Sequence, residues 1–198
     1  QANLTQSMGL KPESLRRTVG DALLGTDSLV SVSRESTVQG MDIVPANEGL
    51  VLLDKVLYKR PNYQFRLRDS LSAMNGGLYD YVVVDCPSSL GTMTINALAA
   101  ADLLLVPFQC EYYASRTLRS YLDMVQRVQQ KINPELAYHV LVTMYDRRNK
   151  ICRVVLDQIR RGLSEVVLET IIEVDTKLRE SPAFGQPINL YAPRTRGT

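Results

Sequence analysis

Residues Tyr79 to Gly91 read YDYVVVDCPSSLG. The aromatic and β-branched run Tyr81 to Val84 favours extended backbone, and its lack of polar alternation predicts a strand buried on both faces of a parallel sheet. Asp85 would then lie at the carboxyl edge of that sheet, where open α/β sheets place their ligands. An acid at that position can hold a hydrated Mg²⁺ beside a nucleotide phosphate. The alternative is that Asp85 only caps the turn or the helix after it. The following loop, Cys86 to Gly91, joins this acid to a helix start, and backbone amides beside Gly91 suit contact with a γ-phosphate. An ordinary strand-to-helix turn, stiffened by Pro87 and capped by Ser89, is the other reading.

Outward from this stretch, strands and helices alternate. On its amino-terminal side, residues 1–11 read as loop, and a helix opens at Pro12 and runs on Leu15, Val19, Ala22 and Leu23 to Gly25. Met41 to Pro45 is a short strand. Helices follow over Glu48–Tyr58, with Leu50, Leu53 and Leu57 on one face, and over Tyr63–Met74, ended by Asn75-Gly76-Gly77. On the carboxyl side, the small-residue segment Thr92–Ala101 is a helix able to pack closely. Asp102–Phe108 is a second buried strand, Ser115–Lys131 the longest helix, and Leu136–Met144 a strand. Lys150–Leu163 is a helix, Val166–Val174 a strand, and Pro187 onward loop. Such alternation predicts βαβ crossovers, hence one α/β domain with a mostly parallel sheet flanked by helices in three layers.

Two further strand ends carry polar groups. Gln109, Cys110, Glu111, Tyr112 and Tyr113 follow one strand, and Thr143, Met144, Tyr145 and Asp146 end the next. Three consecutive ends of this kind predict a shared crevice. Met144 or Tyr145 could flank a flat base, or either could close the core. Beyond them basic residues gather, and Lys150, Arg153 and Arg160 fall near one side of their helix. That face could touch DNA phosphates without reading sequence, or it could simply be solvated.

The composition excludes several classes. A chain of 198 residues with 45% hydrophobic and 22% charged residues is an ordinary globular protein, and its net charge of +2 demands neither nucleic acid nor membrane. Cys86, Cys110 and Cys152 lack the spacing of a disulfide framework or zinc site. His139, the single histidine, sits in a strand-like run and reads as a satisfied structural residue. No apolar run reaches the roughly 18 residues of a membrane span, and no signal peptide opens the chain. A reduced, cytoplasmic setting is expected.

Taken together, residues 79–118 resemble the middle of the ParA/Soj-type partition ATPases, P-loop proteins with a deviant Walker motif that are related to MinD. The DxPPSLG loop, the TINAL helix, the AAD strand and the QCEYYA segment occur here in family order as DCPSSLG, TINAL, AAD and QCEYYA. LVTMYDRRN resembles the next strand and loop of the family, LRESPAFGQPINLYAPRTRG its tail, QANLTQSMGL its QGNAT stretch and GMDIVPAN its LDLLPAN strand. Ser88 stands where a second Pro is usual, and Val174-Asp175 replaces a more usual Pro-Arg. The family's KGGVGKT phosphate loop, its DxDPQ acid and its first strand would precede Gln1, and the chain stops before its last helix. The 198 residues are therefore expected to be an incomplete domain that by itself neither hydrolyses ATP nor folds stably.

The resemblance implies an ATPase with ATP and Mg²⁺ as cofactors, closing a sandwich homodimer that binds non-specific DNA and is stimulated by a ParB-like partner. It implies a nucleoid-associated protein of the cytoplasm, with no membrane partner. It assigns Asp85 to the Walker-B acid, holding Mg²⁺ through water, and Pro87, Ser88, Ser89 and Gly91 to a γ-phosphate switch. Gln109, Glu111 and Tyr112 would lie at the dimer interface and Thr143, Met144, Tyr145 and Asp146 near the base. Arg153, Arg160 and Arg161 are the expected DNA contacts. A positioning ATPase for another cargo, or a degenerate binding module lacking the phosphate loop, are the alternatives.

Overall fold

The computed structural model describes residues 2–74, 76–89 and 91–196, with the backbone alone at 115 and 116. Asn75, in the expected helix stop, and Leu90, in the expected switch loop, lie outside the described residues. The chain divides into two compact units, Gln1–Ala100 with Ser181–Pro187, and Ala101–Glu180 with Ile188–Thr198.

The first unit opens with a short helix α1 (Asn3–Ser7) where loop was expected. Pro12–Ser14 is a single 3-10 turn, and the chain is extended at Leu15, so the predicted helix from Pro12 does not form in one piece. It starts again as α2 (Val19–Leu24) because Thr18 caps it: the hydroxyl accepts the Gly20 N–H, and the Thr18 N–H donates to Asp21. Gly25, at φ 80°, ends the helix in the left-handed conformation that glycine takes freely. Helix α3 (Leu29–Val32) and the two-residue strand β1 (Arg34–Glu35) follow, β1 pairing antiparallel with β2 (Asp42–Ile43) inside the expected Met41–Pro45 strand. Helix α4 (Leu50–Leu57) buries Leu53 and Leu57, and α5 (Arg66–Ser72) buries Leu67.

Helix α6 (Thr92–Ala100) packs as its small residues predict, with Ala97, Leu98 and Ala99 all buried. Its buried Asn96 accepts the Leu67 N–H at 3.1 Å and donates to the Thr92 carbonyl at 3.0 Å, which fixes the start of α5 against α6. Ala22, Leu23, Leu29, Val32, Leu53, Leu57, Leu67 and Ala97 form the core of this unit.

One central expectation fails. Tyr81–Val84 is not a strand: the segment carries no ladder, and Tyr81 and Val83 are 89% and 90% exposed. The composition of Tyr81–Val84 supplies a preference for extended backbone, but a strand also needs a neighbour for its N–H and C=O groups. Among the described residues no strand pairs with it.

The second unit contains the parallel sheet. Strands β3 (Leu103–Gln109), β4 (Ala137–Tyr145) and β5 (Val167–Glu173) lie in that order, with Leu103 opposite Ala137 and Gln109 opposite Thr143. Helix α7 (Ala114–Lys131) connects β3 to β4 and α8 (Lys150–Gly162) connects β4 to β5. Leu118 and Leu122 of α7 and Val155, Leu156 and Ile159 of α8 meet Val106, Phe108, Val140 and Val142 in one core. The fold is thus α/β with a parallel sheet flanked by helices, as the alternation predicts. β3, expected as a buried strand, is buried on the face of Val106 and Phe108 and exposed at Leu103 and Leu105. His139 lies half-buried in β4, and its Nδ1 is buried without a partner among the described residues, in contrast to the satisfied side chain expected. Helices α9 (Thr176–Glu180) and α10 (Ile188–Tyr191) follow, α10 falling in the predicted loop tail.

Candidate functional site

In the first unit the chain from Asp80 to Ser89 is exposed. Tyr79 is anchored, its hydroxyl donating to Asp42 at 2.5 Å, and that bond, with some burial, raises the phenol pKa. Asp85 does not end a strand. It is exposed and forms no ion pair with a described residue. Pro87, Ser88 and Ser89 are exposed as well, so this loop presents its backbone and one free carboxylate to solvent.

The loop is tied down where it enters α6. The Thr94 hydroxyl donates to the Ser89 carbonyl at 2.6 Å and lies 3.4 Å from that of Pro87. On the other side Asp54 of α4 accepts the Met93 N–H at 3.1 Å. A carboxylate at the first turn of a helix is favourable, since it meets both an unpaired N–H and the positive end of the macrodipole. Asp54 is absent from the residues picked out in the sequence. The available signal was an acid lodged beside Leu53 and one turn before Leu57 on an apolar helix face. A cleft of about 390 Å³ opens alongside, lined in part by Asp54, Lys55, Gly91 and the rings of Tyr58 and Tyr63, whose centroids are 5.1 Å apart.

In the second unit the carboxyl ends of β3 and β4 carry the other expected residues. Gln109 and Met144 touch, the Gln109 amide donating to the Met144 sulfur. Glu111 and Tyr112 are exposed on the turn into α7, Tyr112 edge-on to Tyr113 at 5.0 Å. Thr143 is half-buried and Met144 exposed. Tyr145 turns into the core beside Cys110 and Cys152, and burial raises its phenol pKa. Of its two expected roles the packing shows the core one, while Met144 is exposed at the strand end with its sulfur bonded to Gln109. Asp146 is held by Arg148, accepting from its N–H, Nε and Nη2 at 2.9–3.0 Å, and these bonds hold its carboxyl below the usual range.

Arg153, Arg160 and Arg161 are all exposed on α8. Arg160 reaches the Glu169 carbonyl at 3.3 Å. Asp157 is exposed between Arg153 and Arg160 on nearly the same side of the helix, so the basic stripe carries an acid.

Comparison with known proteins places the chain. Residues 1–138 match the family model AAA_31, described as an AAA domain. The chromosome partitioning protein ParA of Myxococcus xanthus is 36% identical over the whole chain and 70% of its own length. The sporulation initiation inhibitor protein Soj of Bacillus subtilis is 35% identical over the whole chain and 78% of its own. The chain belongs to the ParA/Soj family of partition ATPases. Among solved structures, the cobyrinic acid a,c-diamide synthase from Mycobacterium smegmatis with bound ATP analog and magnesium superposes with a TM-score of 0.81 at 31% identity. That match covers 96% of this chain and 80% of the other.

The ParA/Soj assignment gives the exposed acid a context. Among the described residues no cluster of three or more His, Cys, Asp or Glu could cage a metal. A lone exposed carboxylate instead suits Mg²⁺, which keeps several waters and takes one or two carboxylates together with phosphate oxygens. No helix among the described residues is long and apolar enough to cross a membrane.

Proposed function

We propose that this chain is part of the nucleotide-binding domain of an ATPase that partitions DNA, using ATP and Mg²⁺. The observation that carries this reading is the exposed loop from Asp85 to Ser89, with one carboxylate at its start that forms no ion pair with a described residue and a helix tied to it by Thr94 at its end. Asp85 would hold Mg²⁺ through water, and the bound ion would supply positive charge toward the nucleotide phosphates. Pro87, Ser88, Ser89 and Gly91 form the switch: the backbone N–H groups of Ser88 and Ser89 face the γ-phosphate, and its loss on hydrolysis frees the segment.

In the second unit Met144, with Thr143 and the Asp146–Arg148 pair beside it, lies near the base. Gln109, Glu111 and Tyr112 belong to a homodimer interface, for which exposed Tyr112 is a suitable aromatic anchor. Arg153, Arg160 and Arg161 contact phosphates of non-specific DNA, and a ParB-like partner stimulates turnover. The protein acts on the nucleoid.

The test is Asp85→Asn in the full-length protein that carries this chain. ATP turnover should fall by about 10²-fold, the scale of losing one electrostatic contact in a phosphoryl or acyl transfer site. Higher Mg²⁺ should be needed for what remains. Wild-type turnover at ordinary Mg²⁺ would remove Asp85 from the site.

A further inference from the structure

We propose that Asp54 is a positioning residue for the switch, and that residue 91 is glycine in order to admit the Asp54 carboxylate. The inference rests on reading Asp85–Gly91 as the γ-phosphate switch. Helix α4 is pinned to the core through Leu53 and Leu57, which are 8% and 0% exposed, so Asp54 projects from a fixed base. Its Oδ1 accepts the Met93 N–H at 3.1 Å. A Cβ on residue 91 would lie 3.1 Å from Oδ1 and 3.2 Å from Oδ2, closer than side chains ordinarily tolerate. A side chain at 91 would therefore press on the carboxylate, which would have to give by a few tenths of an ångström.

Gly91 has therefore a reason to be glycine that does not involve a phosphate. Among the described residues, the earliest backbone hydrogen bond of α6 runs from the Ile95 N–H to the Gly91 carbonyl, and the Met93 N–H goes to Asp54 rather than to a carbonyl. Asp54 also sets a negative charge at that end. With its N–H given to Asp54, Met93 has no amide to offer a phosphate. Phosphate contact is thereby directed to the exposed backbone of Ser88 and Ser89, upstream of the anchor. Thr94 grips Ser89 from one side and Asp54 holds the helix start from the other. The loop thus has a fixed end against which its free end moves. What Asp54 supplies is a hydrogen-bond acceptor at a set place. Asparagine can supply one too, and alanine cannot.

The experiment uses the full-length protein with Asp54→Ala, Asp54→Asn, Gly91→Ala and Asp85→Asn, measuring ATP turnover, KM and amide exchange at Met93. Asp54→Ala should lower kcat by about tenfold, a modest misplacement of the reacting groups. KM should hold within about twofold, Met93 exchange should speed up by at least about tenfold, and Asp54→Asn should restore most of both. Unchanged kcat in Asp54→Ala, or an Asn variant as poor as the Ala one, sinks the proposal. If Asp54→Ala does not fold, Gly91→Ala decides, because it crowds the carboxylate without removing its charge. It too should lower kcat, and normal turnover overturns the idea. Asp85→Asn reads the underlying assignment separately. Wild-type turnover in that variant defeats the switch reading itself, whereas its loss beside normal Asp54→Ala and Gly91→Ala enzymes defeats only the role of Asp54.

Discussion

The side-chain amide of Gln109 donates to the Met144 sulfur across 3.0 Å, tying the carboxyl end of β3 to that of β4. The sheet register sets Gln109 opposite Thr143, one residue short of this partner. Met144 reaches it from a backbone φ of +51°, a left-handed conformation that costs a residue with a Cβ about 1–2 kcal/mol. The next residue, Tyr145, enters the core, and the Val174 N–H closes on its carbonyl. A sparsely populated conformation held by its surroundings at the end of a strand is the kind of feature that accompanies ligand sites.

Replacing Met144 separates the conformational cost from the contact. Met144→Gly and Met144→Ala both lose the sulfur, but only glycine adopts the positive φ freely. The Gly variant of the full-length protein should therefore be more stable than the Ala variant by about 1 kcal/mol in denaturant unfolding. If Met144 lies against the base, both should weaken nucleotide affinity to a similar degree. Affinity equal to wild type in both would take Met144 out of the base site while leaving the stability difference in place.

The second unit was legible in the sequence because its signals are local and mutually consistent. The apolar stripe of α8, from Cys152 to Ile159, and the alternation of Val140 and Val142 in β4 each specify an element and also the face it buries. The 3.6 and 2.0 residue periods leave little choice there. Tyr81–Val84 was misread because its residues report a preference for extended backbone but cannot report whether a neighbouring strand exists. The Pro12 helix was misread because the run Leu15, Val19 and Leu23 continues the period across Thr18, whose hydroxyl and Asp21 carboxylate begin a new helix. At the site, the order of acid, loop and helix was visible from Asp85 onward. Asp54 was not, since its partner Met93 lies 39 residues away. Tyr145 was ambiguous until the packing against Cys110 and Cys152 chose the core.

Burial of Cys110 gives the protein an alkaline weakness. Burial, and then the nearby Cys152, push its thiol from 9.0 up to about 11. The folded state thus resists deprotonation while the unfolded state ionises near 9. Unfolding stability should be unaffected below pH 9, fall as pH rises from 9, and level off as the folded thiol ionises near 11. Cys110→Ala should flatten this part of the stability–pH curve measured by denaturant unfolding, at the cost of some core packing at every pH. A curve with the same slope in the variant would assign the alkaline loss to other groups, such as the tyrosines.

The arginines of α8 are separable from the nucleotide chemistry by salt. If Arg153, Arg160 and Arg161 each neutralise one DNA phosphate, replacing all three by Ala lowers the slope of log K against log[salt] by about 3. The loss should be the same for unrelated DNA sequences, because phosphate contacts carry no base information. Charge reversal to Glu should go further and abolish salt-sensitive binding of the ATP-bound full-length protein. Asp157 supplies an internal control, since it lies among these residues and repels the same phosphates. Asp157→Asn should tighten DNA binding modestly, by the about 1 kcal/mol or less that a surface charge contributes. All three side chains are exposed and the buried face of α8 is untouched, so ATP turnover without DNA should stay at the wild-type rate. Unchanged DNA affinity and slope in the triple Glu variant would rule this helix out and send the search to another basic surface.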